Sequence, residues 1–430
     1  MRLDPGLAAS IESDTALMAD FEAICDCGGR LAGSAGERRA LKLVAELGRK
    51  ATGIAARYHS VPYDGWKATR AALRLADGTP AACYPLVFSA PAPAGGLAAE
   101  VVDLGRGTPA DFSRHSADLP GRVALVRHEL MFAAGTIHRS RKYRMAREAG
   151  AAGFLIAGPL AGAVVAGSAG RSGPDGIPAL GIAPETAARL GPTSTGFAAV
   201  SLDLDTAEAP AEAFNLIFDL PGQYDEWVVL SAHIDGHEVG ESAMDNASGV
   251  AAVLAAMRAL AGAVPGFRRG LRVMIFNVEE WALTGSARYV AGLSAAEREN
   301  IALDINLDSV AGSPRLTALT SGFPALGPFL AGVAAANGLA LATHLPLMQN
   351  SDHANFALAG IPALRLVAGF DEPGANLRHV LTPADTRDKV APAELHQAAV
   401  LAAAIAVAAA TAAPEEAARW RLADRDQASN

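Results

Sequence analysis

The chain has 430 residues, which is more than one typical hydrophobic core holds, so its length predicts two structural units. Its 45 acidic side chains outnumber 36 basic ones, the net charge is -9 and no cationic face is evident, which argues against nucleic acid as a partner. The N-terminus, MRLDPGLAASIESDTALM, has neither the basic stretch nor the apolar core of a signal peptide, so a cytoplasmic location is expected.

The cysteines and the apolar runs agree with that expectation. Cys25 and Cys27 are too close in sequence for an ordinary disulfide and Cys83 is alone, which is typical of a reducing compartment. A metal site at Cys25 and Cys27 lacks the usual C-x₂₋₄-C spacing, so small buried side chains are the preferred interpretation. The run from Ala393 to Pro414 is Ala-rich but interrupted by polar residues, so it predicts a buried or amphipathic helix and no membrane partner.

The N-terminal segment predicts two helices and a strand. Thr15 to Cys25 is amphipathic, and RLAGSAGERR is a Gly/Ser turn that leads into a helix through Leu47. The run from Ala68 to Leu75 is typical of a strand. We assign residues 1–89 and 214–430 to one domain.

Residues 90–213 have a different character and predict an inserted, β-rich domain. PAPAGG opens this segment and AEAPAEA closes it, and such Pro- and Ala-rich edges are typical of domain boundaries. Between them we predict one helix, Arg139 to Ala149, and four short strands, Val101 to Leu104, Arg122 to Val126, Gly153 to Ile156 and Ala179 to Ile182.

After Phe214, strands and helices alternate, which predicts an α/β fold with a mixed, mainly parallel sheet covered on both faces. His233 ends a buried strand in VVLSAHIDGHEVGESAMDNASG. Open α/β sheets bind their ligands at such strand ends. Asp235, two residues on, is placed to accept the other imidazole proton and orient a metal-binding ring. Asp245 precedes a helix and is equally consistent with an N-cap and with a metal ligand.

The next two strands also end in carboxylates. Glu279 and Glu280 close the apolar run LRVMIFNVEE, and two adjacent buried carboxylates repel each other unless they share a cation or a proton. Asp308 follows the predicted strand Ile301 to Leu307. Candidate ligands thus lie at the carboxyl ends of three successive strands. Two histidines and three carboxylates suit a pair of zinc ions that share one carboxylate.

Several motifs, in order, resemble those of the co-catalytic di-zinc exopeptidases, the twenty-eighth family of metallopeptidases, which includes bacterial leucyl aminopeptidases and glutamate carboxypeptidase. They are HIDGHEVGESAMDNASG, VEEWALTGS, NLDSVAG and SDHANFALAGIPALRL, with GGRLAGSAG and FNLIFDLPG similar to the opening motifs. The insertion, with GRVALVRHELMF, AREAGAAGFLIAG and IPALGIAPETAARL, resembles a protease-associated domain. The resemblance implies a three-layer α/β/α zinc-exopeptidase domain carrying a lid-like insertion.

The resemblance also implies the metal ligands. Asp245 would bridge two zinc ions, His233 and Asp308 would complete one site, and Glu280 and His379 would complete the other.

The last of these ligands departs from the family pattern, which usually places this histidine directly before the threonine. In RHVLTPADTRDKV, Val380 and Leu381 intervene after His379. His353, which corresponds to a non-ligand position in the family, and His344 are the alternatives.

For catalysis, the resemblance implies that Glu279 is the general base and that Asp235 supports His233. We therefore predict a metallo-exopeptidase, an aminopeptidase that hydrolyses short peptides and requires two zinc ions per chain. An N-acyl amino acid amidohydrolase or a carboxypeptidase on the same site is the alternative, which Arg365 or Arg378 would favour by binding a substrate carboxylate.

An alternative of another class is a catalytically inactive, peptidase-like binding protein, although the chain keeps a candidate for every catalytic position. We expect a short peptide or amide as the partner and leave homo-oligomerisation open. The insertion is expected to lean over the metal crevice and restrict it to small substrates. His128, His138 and Arg139 flank the loop before its helix, where they could reach substrate.

Overall fold

The computed structural model describes residues 2–170, 175–191, 194 and 196–423. The strands are β1 (Arg57–Leu75), β2 (Pro80–Ala81), β3 (Cys83–Pro85), β4 (Leu97–Asp103), β5 (Val123–Arg127), β6 (Gly153–Ala157), β7 (Ala179–Ile182), β8 (Ala198–Leu220), β9 (Tyr224–His233), β10 (Arg269–Phe276), β11 (Ile301–Leu307), β12 (Leu316–Leu319), β13 (Ala342–His344) and β14 (Ala363–Ala368). The α-helices are α1 (Pro5–Glu12), α2 (Thr15–Cys25), α3 (Ala35–Thr52), α4 (Pro109–Arg114), α5 (Arg139–Glu148), α6 (Pro184–Arg189), α7 (Ser248–Leu260), α8 (Thr284–Gly292), α9 (Ala295–Asn300), α10 (Leu326–Ala336), α11 (His353–Leu358), α12 (Pro392–Thr411) and α13 (Pro414–Trp420).

The central part of the sheet is parallel and has helices on both faces. In the order β14-β11-β9-β10, every pair of neighbouring strands is parallel. Along β9, Val228 and Leu230 belong to the core that includes α7 and α12, whereas Val229 belongs to a separate core with α8 and α11. Alternate side chains of a strand point to opposite faces, so the apolar run of β9 is buried on both sides. The predicted α/β class, mainly parallel and covered on both faces, is confirmed.

Two long strands connect this central part to the inserted segment. β1 and β8 are antiparallel along nearly their whole length, from Arg57 opposite Ile217 to Leu75 opposite Val200. The C-terminal part of β8 pairs with β10, and its N-terminal part pairs with β4 of the insertion. The strand predicted at Ala68 to Leu75 is therefore much longer, because β8 supplies hydrogen-bond partners along the whole of β1.

The insertion adds a parallel strand group to the same sheet. β4, β5, β6 and β7 are neighbours, all parallel, and their inner faces form a core of their own that includes Leu125, Leu155 and Leu180. This part is β-rich, as predicted, with α5 at the expected place and two further short helices, α4 and α6. β8 runs through position 213 without a break, so the limits 90–213 stay a prediction.

Among the described helices, α12 is the one long and apolar enough to cross a membrane, and most of it is buried inside the protein. It packs against α7 and against β9, β10 and β11. The sequence prediction of a buried helix in this region is confirmed.

Candidate metal centre

The carboxyl ends of three neighbouring strands meet at one edge of the central sheet. β9 ends at His233, β10 is followed by Glu279 and Glu280, and β11 is followed by Asp308. Because β9 is parallel to both β10 and β11, these side chains come together at the edge where such sheets bind ligands. Asp245 joins them from the turn that precedes α7.

His233 lies between two carboxylates. Its Nε2 atom is 3.1 Å from a carboxylate oxygen of Asp245 and 3.5 Å from one of Asp308. Two ligand atoms that bind the same tetrahedral zinc ion, each at about 2.0 Å from it, lie roughly 3.3 Å apart. The three side chains therefore have the spacing of three ligands of one ion.

The surroundings of His233 fit a metal ion. Its Nδ1 atom is 3.0 Å from the backbone carbonyl oxygen of Asp235, so this nitrogen carries a proton and Nε2 is the nitrogen whose lone pair can bind a cation. Nε2 is buried and has no hydrogen-bond partner within the described residues. Burial, and next the charge of Asp308, raise the pKa of Asp245, so the two carboxylates repel each other. A cation among them would remove the repulsion and use the free lone pair.

Asp235 supports the site differently from the sequence prediction. Its carboxylate is 3.7 Å from the Nδ1 atom of His233, and the carbonyl oxygen of Asp235 makes the imidazole contact instead. The carboxylate accepts hydrogen bonds from the backbone N–H groups of Glu279 (3.0 Å) and Glu280 (3.1 Å). Asp235 is thus a positioning residue that holds both the histidine and the acidic pair.

The two glutamates have different surroundings. Glu280 has an oxygen 2.8 Å from Nε2 of His237, whereas Glu279 has no imidazole nitrogen of a described residue within 4.0 Å. Burial raises the pKa of Glu279 well above the ordinary range, although His233 favours its charged form. For Glu280, burial acts in the same direction, but His237 together with His233 and Arg139 outweighs it, and the pKa is lowered. A carboxyl with a raised pKa suits proton transfer, and one with a lowered pKa suits ligation.

The structure does not bring His379 to the carboxylates. This residue ends the short 3₁₀ turn Asn376–His379, and the charged groups that affect its pKa are Arg378, Lys389 and Asp388. Its carbonyl oxygen accepts hydrogen bonds from the N–H and the hydroxyl of Thr382, so the chain turns back after it. The two extra residues therefore place the imidazole away from the carboxylates, and the ligand role of His379 stays a prediction that this placement does not favour.

His237 is the functional candidate that sequence reasoning missed. It lies four residues after His233 in HIDGH, on the loop that follows β9, and it is 2% exposed. The signal was a second histidine in the motif richest in metal ligands. The family pattern places the last histidine far downstream and so pointed to His379 instead.

Arg365 holds a candidate ligand in place. Its Nη2 atom is 3.1 Å from a carboxylate oxygen of Asp308, and the guanidinium also donates to the carbonyl oxygen of Asp308. Burial would raise the pKa of Asp308, but Arg365 and His233 keep it well below its usual range. Arg378, the other arginine considered for substrate binding, is exposed and lies outside the site cavity.

The centre opens into a cavity of about 330 Å³. Asp245, Glu279, Glu280 and Asp308 line one side of it. The inserted segment contributes Met131, Phe132, His138, Arg139 and Ser140, among others, to the lining of the same cavity. The insertion thus leans over the metal crevice as expected, whereas His128 lines a different cavity.

Comparisons with known proteins agree with this geometry. Residues 215–406 match the model of peptidase family M28, and residues 82–190 match that of the PA domain. Aminopeptidase YwaD of Bacillus subtilis is 28% identical over 290 residues, which are 66% of this chain and 58% of that protein. Probable leucine aminopeptidase 2 of Aspergillus fumigatus is 28% identical over 276 residues, covering 60% of this chain and 53% of that one. The chain spans about half the length of the curated relatives it matches.

Solved structures share the fold over nearly the whole chain. A peptidase M28 precursor from Shewanella amazonensis has a TM-score of 0.77 at 22% identity and covers 94% of this chain and 95% of its own. BSAP, a zinc aminopeptidase from Bacillus subtilis, has a TM-score of 0.70 at 24% identity and covers 90% and 94%. With its sheet, its acidic centre and its inserted segment, this chain fits peptidase family M28 with an inserted PA domain.

Proposed function

We propose that this protein is a zinc-dependent exopeptidase, an aminopeptidase that hydrolyses short peptides with two zinc ions per chain. The observation that carries the proposal is the group formed by His233, Asp245 and Asp308, whose ligand atoms lie within 4.8 Å of one another. Nitrogen and carboxylate ligands in this proportion suit zinc. The names of the relatives, which are aminopeptidases, support the same activity.

Different residues of the site would hold the metal ions and transfer the proton. His233, Asp308 and the shared Asp245 would hold one ion, and Glu280 with Asp245 would hold part of the other. Bound zinc supplies Lewis acidity, which activates water and polarises a carbonyl group. A carboxylate oxygen of Glu279 accepts the proton of the attacking water and passes it to the departing amine.

The cavity restricts the substrate to a small molecule. Its volume of about 330 Å³ is at the lower end of the range for ligand pockets, which runs from roughly 300 to 1,000 Å³. The inserted segment lines this cavity together with the carboxylates, so the space beside them suits a small substrate better than a folded protein. A short peptide or amide fits this space.

One observation favours the second candidate, an N-acyl amino acid amidohydrolase or carboxypeptidase. Arg139 is 5% exposed and lines the cavity, while its Nε atom donates to the carbonyl oxygen of Ser168 at 2.8 Å. A guanidinium group in a cavity wall is suited to bind a carboxylate of the substrate. A dipeptide carries such a group too, so Arg139 is compatible with both activities.

Metal analysis and a substrate panel test the proposal. Protein purified without added metal, and protein reconstituted with Zn²⁺, should contain about two ions per chain, and a chelator should abolish hydrolysis. Zinc content near zero in both preparations would rule out the proposed enzyme. Amino-acid arylamides, dipeptides and N-acyl amino acids then separate an aminopeptidase from an amidohydrolase.

Arg139→Met is expected to affect only substrates that have a free carboxylate. A hydrogen bond to a charged group contributes about 1.5–3 kcal/mol, so KM for dipeptides should rise by roughly 10-fold or more. KM for an amino-acid arylamide, which has no carboxylate, should stay within about 2-fold, as should zinc content. Arg378→Met, at an exposed position outside the cavity, is the matched control. Equal losses on both substrate types would show that Arg139 does not recognise a carboxylate.

A further inference from the structure

We infer that His237 is a ligand of the second metal ion and supplies the imidazole that was assigned to His379. The inference rests on the proposed function, because it assumes a metal pair at this edge of the sheet. It departs from the ligand set that the family resemblance implies, in which the second histidine precedes Thr382.

His237 and Glu280 form a buried pair beside the bridging carboxylate. The imidazole Nε2 atom is 2.8 Å from a carboxylate oxygen of Glu280, and the two side chains are 2% and 9% exposed. Among the described residues, His237 is the one imidazole within 4.0 Å of Glu280. Asp245 lines the same small cavity as both. His237, Glu280 and Asp245 therefore offer the same kinds of donor, one imidazole and two carboxylates, as His233, Asp245 and Asp308.

A purely structural role leaves His237 incompletely satisfied. Its Nδ1 atom is buried and has no hydrogen-bond partner within the described residues. Buried side-chain nitrogen atoms in folded proteins nearly always have a partner. Among the described residues, the hydrogen bond of the His237 ring is therefore the one with Glu280, which lines the cavity of the metal centre.

The loop that carries His237 is held by a buried arginine of the GGRLAGSAG motif. The guanidinium of Arg30 donates to three backbone carbonyl oxygens of this loop, those of Ile234 (2.8 Å), Glu241 (2.7 Å) and Ser242 (2.7 Å). Arg30 is fully buried, so these bonds are shielded from water. The path of the loop is thus set by the fold.

Close backbone contacts fix the loop further. A Cβ atom at Gly29 would stand 2.7 Å from the carbonyl oxygen of His237 and 2.4 Å from Cα of Glu238. A Cβ atom at Gly236 would stand 2.5 Å from the hydroxyl oxygen of Ser242. Only glycine fits at both places, and the packing that results holds the imidazole in position, as a metal site requires.

Leu381 occupies the place where the family pattern puts a histidine. It directly precedes Thr382, and its side chain lines the small cavity that contains His237, Glu280 and Asp245. An aliphatic side chain cannot bind a metal ion. Its φ of 65° is in the left-handed region, where histidine is found several times more often than other non-glycine residues on average. A histidine at position 381 would therefore suit this backbone and face the same centre.

Metal binding by three variants tests the inference directly. His237→Ala should lose one of two ions per chain, or bind it at least about 10²-fold more weakly, since even the loss of a group that only supports a ligand costs 10–100-fold. His379→Ala is the matched control and should bind both ions as the unmodified protein does. The double variant with His237→Ala and Leu381→His should regain the second ion. Zinc per chain is measured by elemental analysis, and affinity by titration against a competing chelator.

The outcomes separate this inference from the proposed function. If the unmodified protein binds no zinc, the proposed function fails and the inference fails with it. If the unmodified protein and His237→Ala both hold two ions with equal affinity, the inference is overturned and the function stands. Loss of the second ion in His379→Ala would also overturn it. Where His237→Ala does not fold, as judged by circular dichroism, His237→Gln replaces it, with the same expected loss.

Discussion

Glu279→Gln is expected to lower kcat by about 10²-fold or more while the protein keeps its metal and its fold. Glutamine preserves the shape of the side chain but cannot accept a proton from water. The backbone of position 279 is held by the carboxylate of Asp235 at 3.0 Å, so the variant side chain should remain in place. Steady-state kinetics, zinc content and thermal unfolding check the three parts of this prediction. Glu22→Gln, at an exposed position of α2, is the control and should be unchanged.

The neighbouring glutamate provides a contrast. Glu280→Gln should weaken one metal ion, because an amide is a poorer zinc ligand than a carboxylate. Its activity should recover at least in part when Zn²⁺ is added in excess, whereas that of Glu279→Gln should not. If the two variants showed the opposite behaviour, the base and the ligand would be the other way round.

Asp245→Ala is expected to remove both metal ions and all measurable hydrolysis. Asp245 lies 3.1 Å from His233 and lines both the large cavity and the small one next to His237 and Glu280, so it is placed to serve two ions. Asp308→Ala, which affects one side only, should mainly cost one ion. Elemental analysis of each variant after reconstitution gives the comparison.

Thermal unfolding provides a second measurement on the same variants. A ligand that binds only the folded state stabilises it by RT ln(1 + [L]/Kd), so a chelator should lower the Tm of the unmodified protein. The Tm of Asp245→Ala should not respond to the chelator. Retention of two ions by Asp245→Ala would contradict the bridging role.

Local sequence was sufficient to predict the strands that end at the site. Ile301 to Leu307 was predicted and observed with the same bounds, because a short, wholly buried strand shows as an apolar run between polar turns. Polar residues directly after such runs, such as His233 and Asp308, must lie at a sheet edge. The convergence of His233, Asp245 and Asp308 could therefore be predicted without coordinates.

Contacts between segments distant in sequence could not be predicted in this way. The length of β1 depends on β8, which lies more than a hundred residues away. The residues of β1 by themselves therefore predicted only part of the strand. Arg139 reaches the cavity because the insertion folds back over the sheet edge. The sequence placed Arg139 with His128 and His138 among three residues that could reach substrate, and the structure shows that His128 lines a different cavity.

By itself, the amino-acid sequence determined the α/β class, the inserted β-rich segment and the donor set at the ends of three strands, since hydrophobic periodicity and strand-end chemistry are local properties. Which histidine stands beside Glu280 was decided by the tertiary structure alone. That choice depends on the path of the loop held by Arg30 and on the turn that carries His379 away, and both come from packing between segments far apart in the chain. The family spacing could not identify this histidine. Two additional residues before Thr382 are enough to place the imidazole of His379 away from the carboxylates.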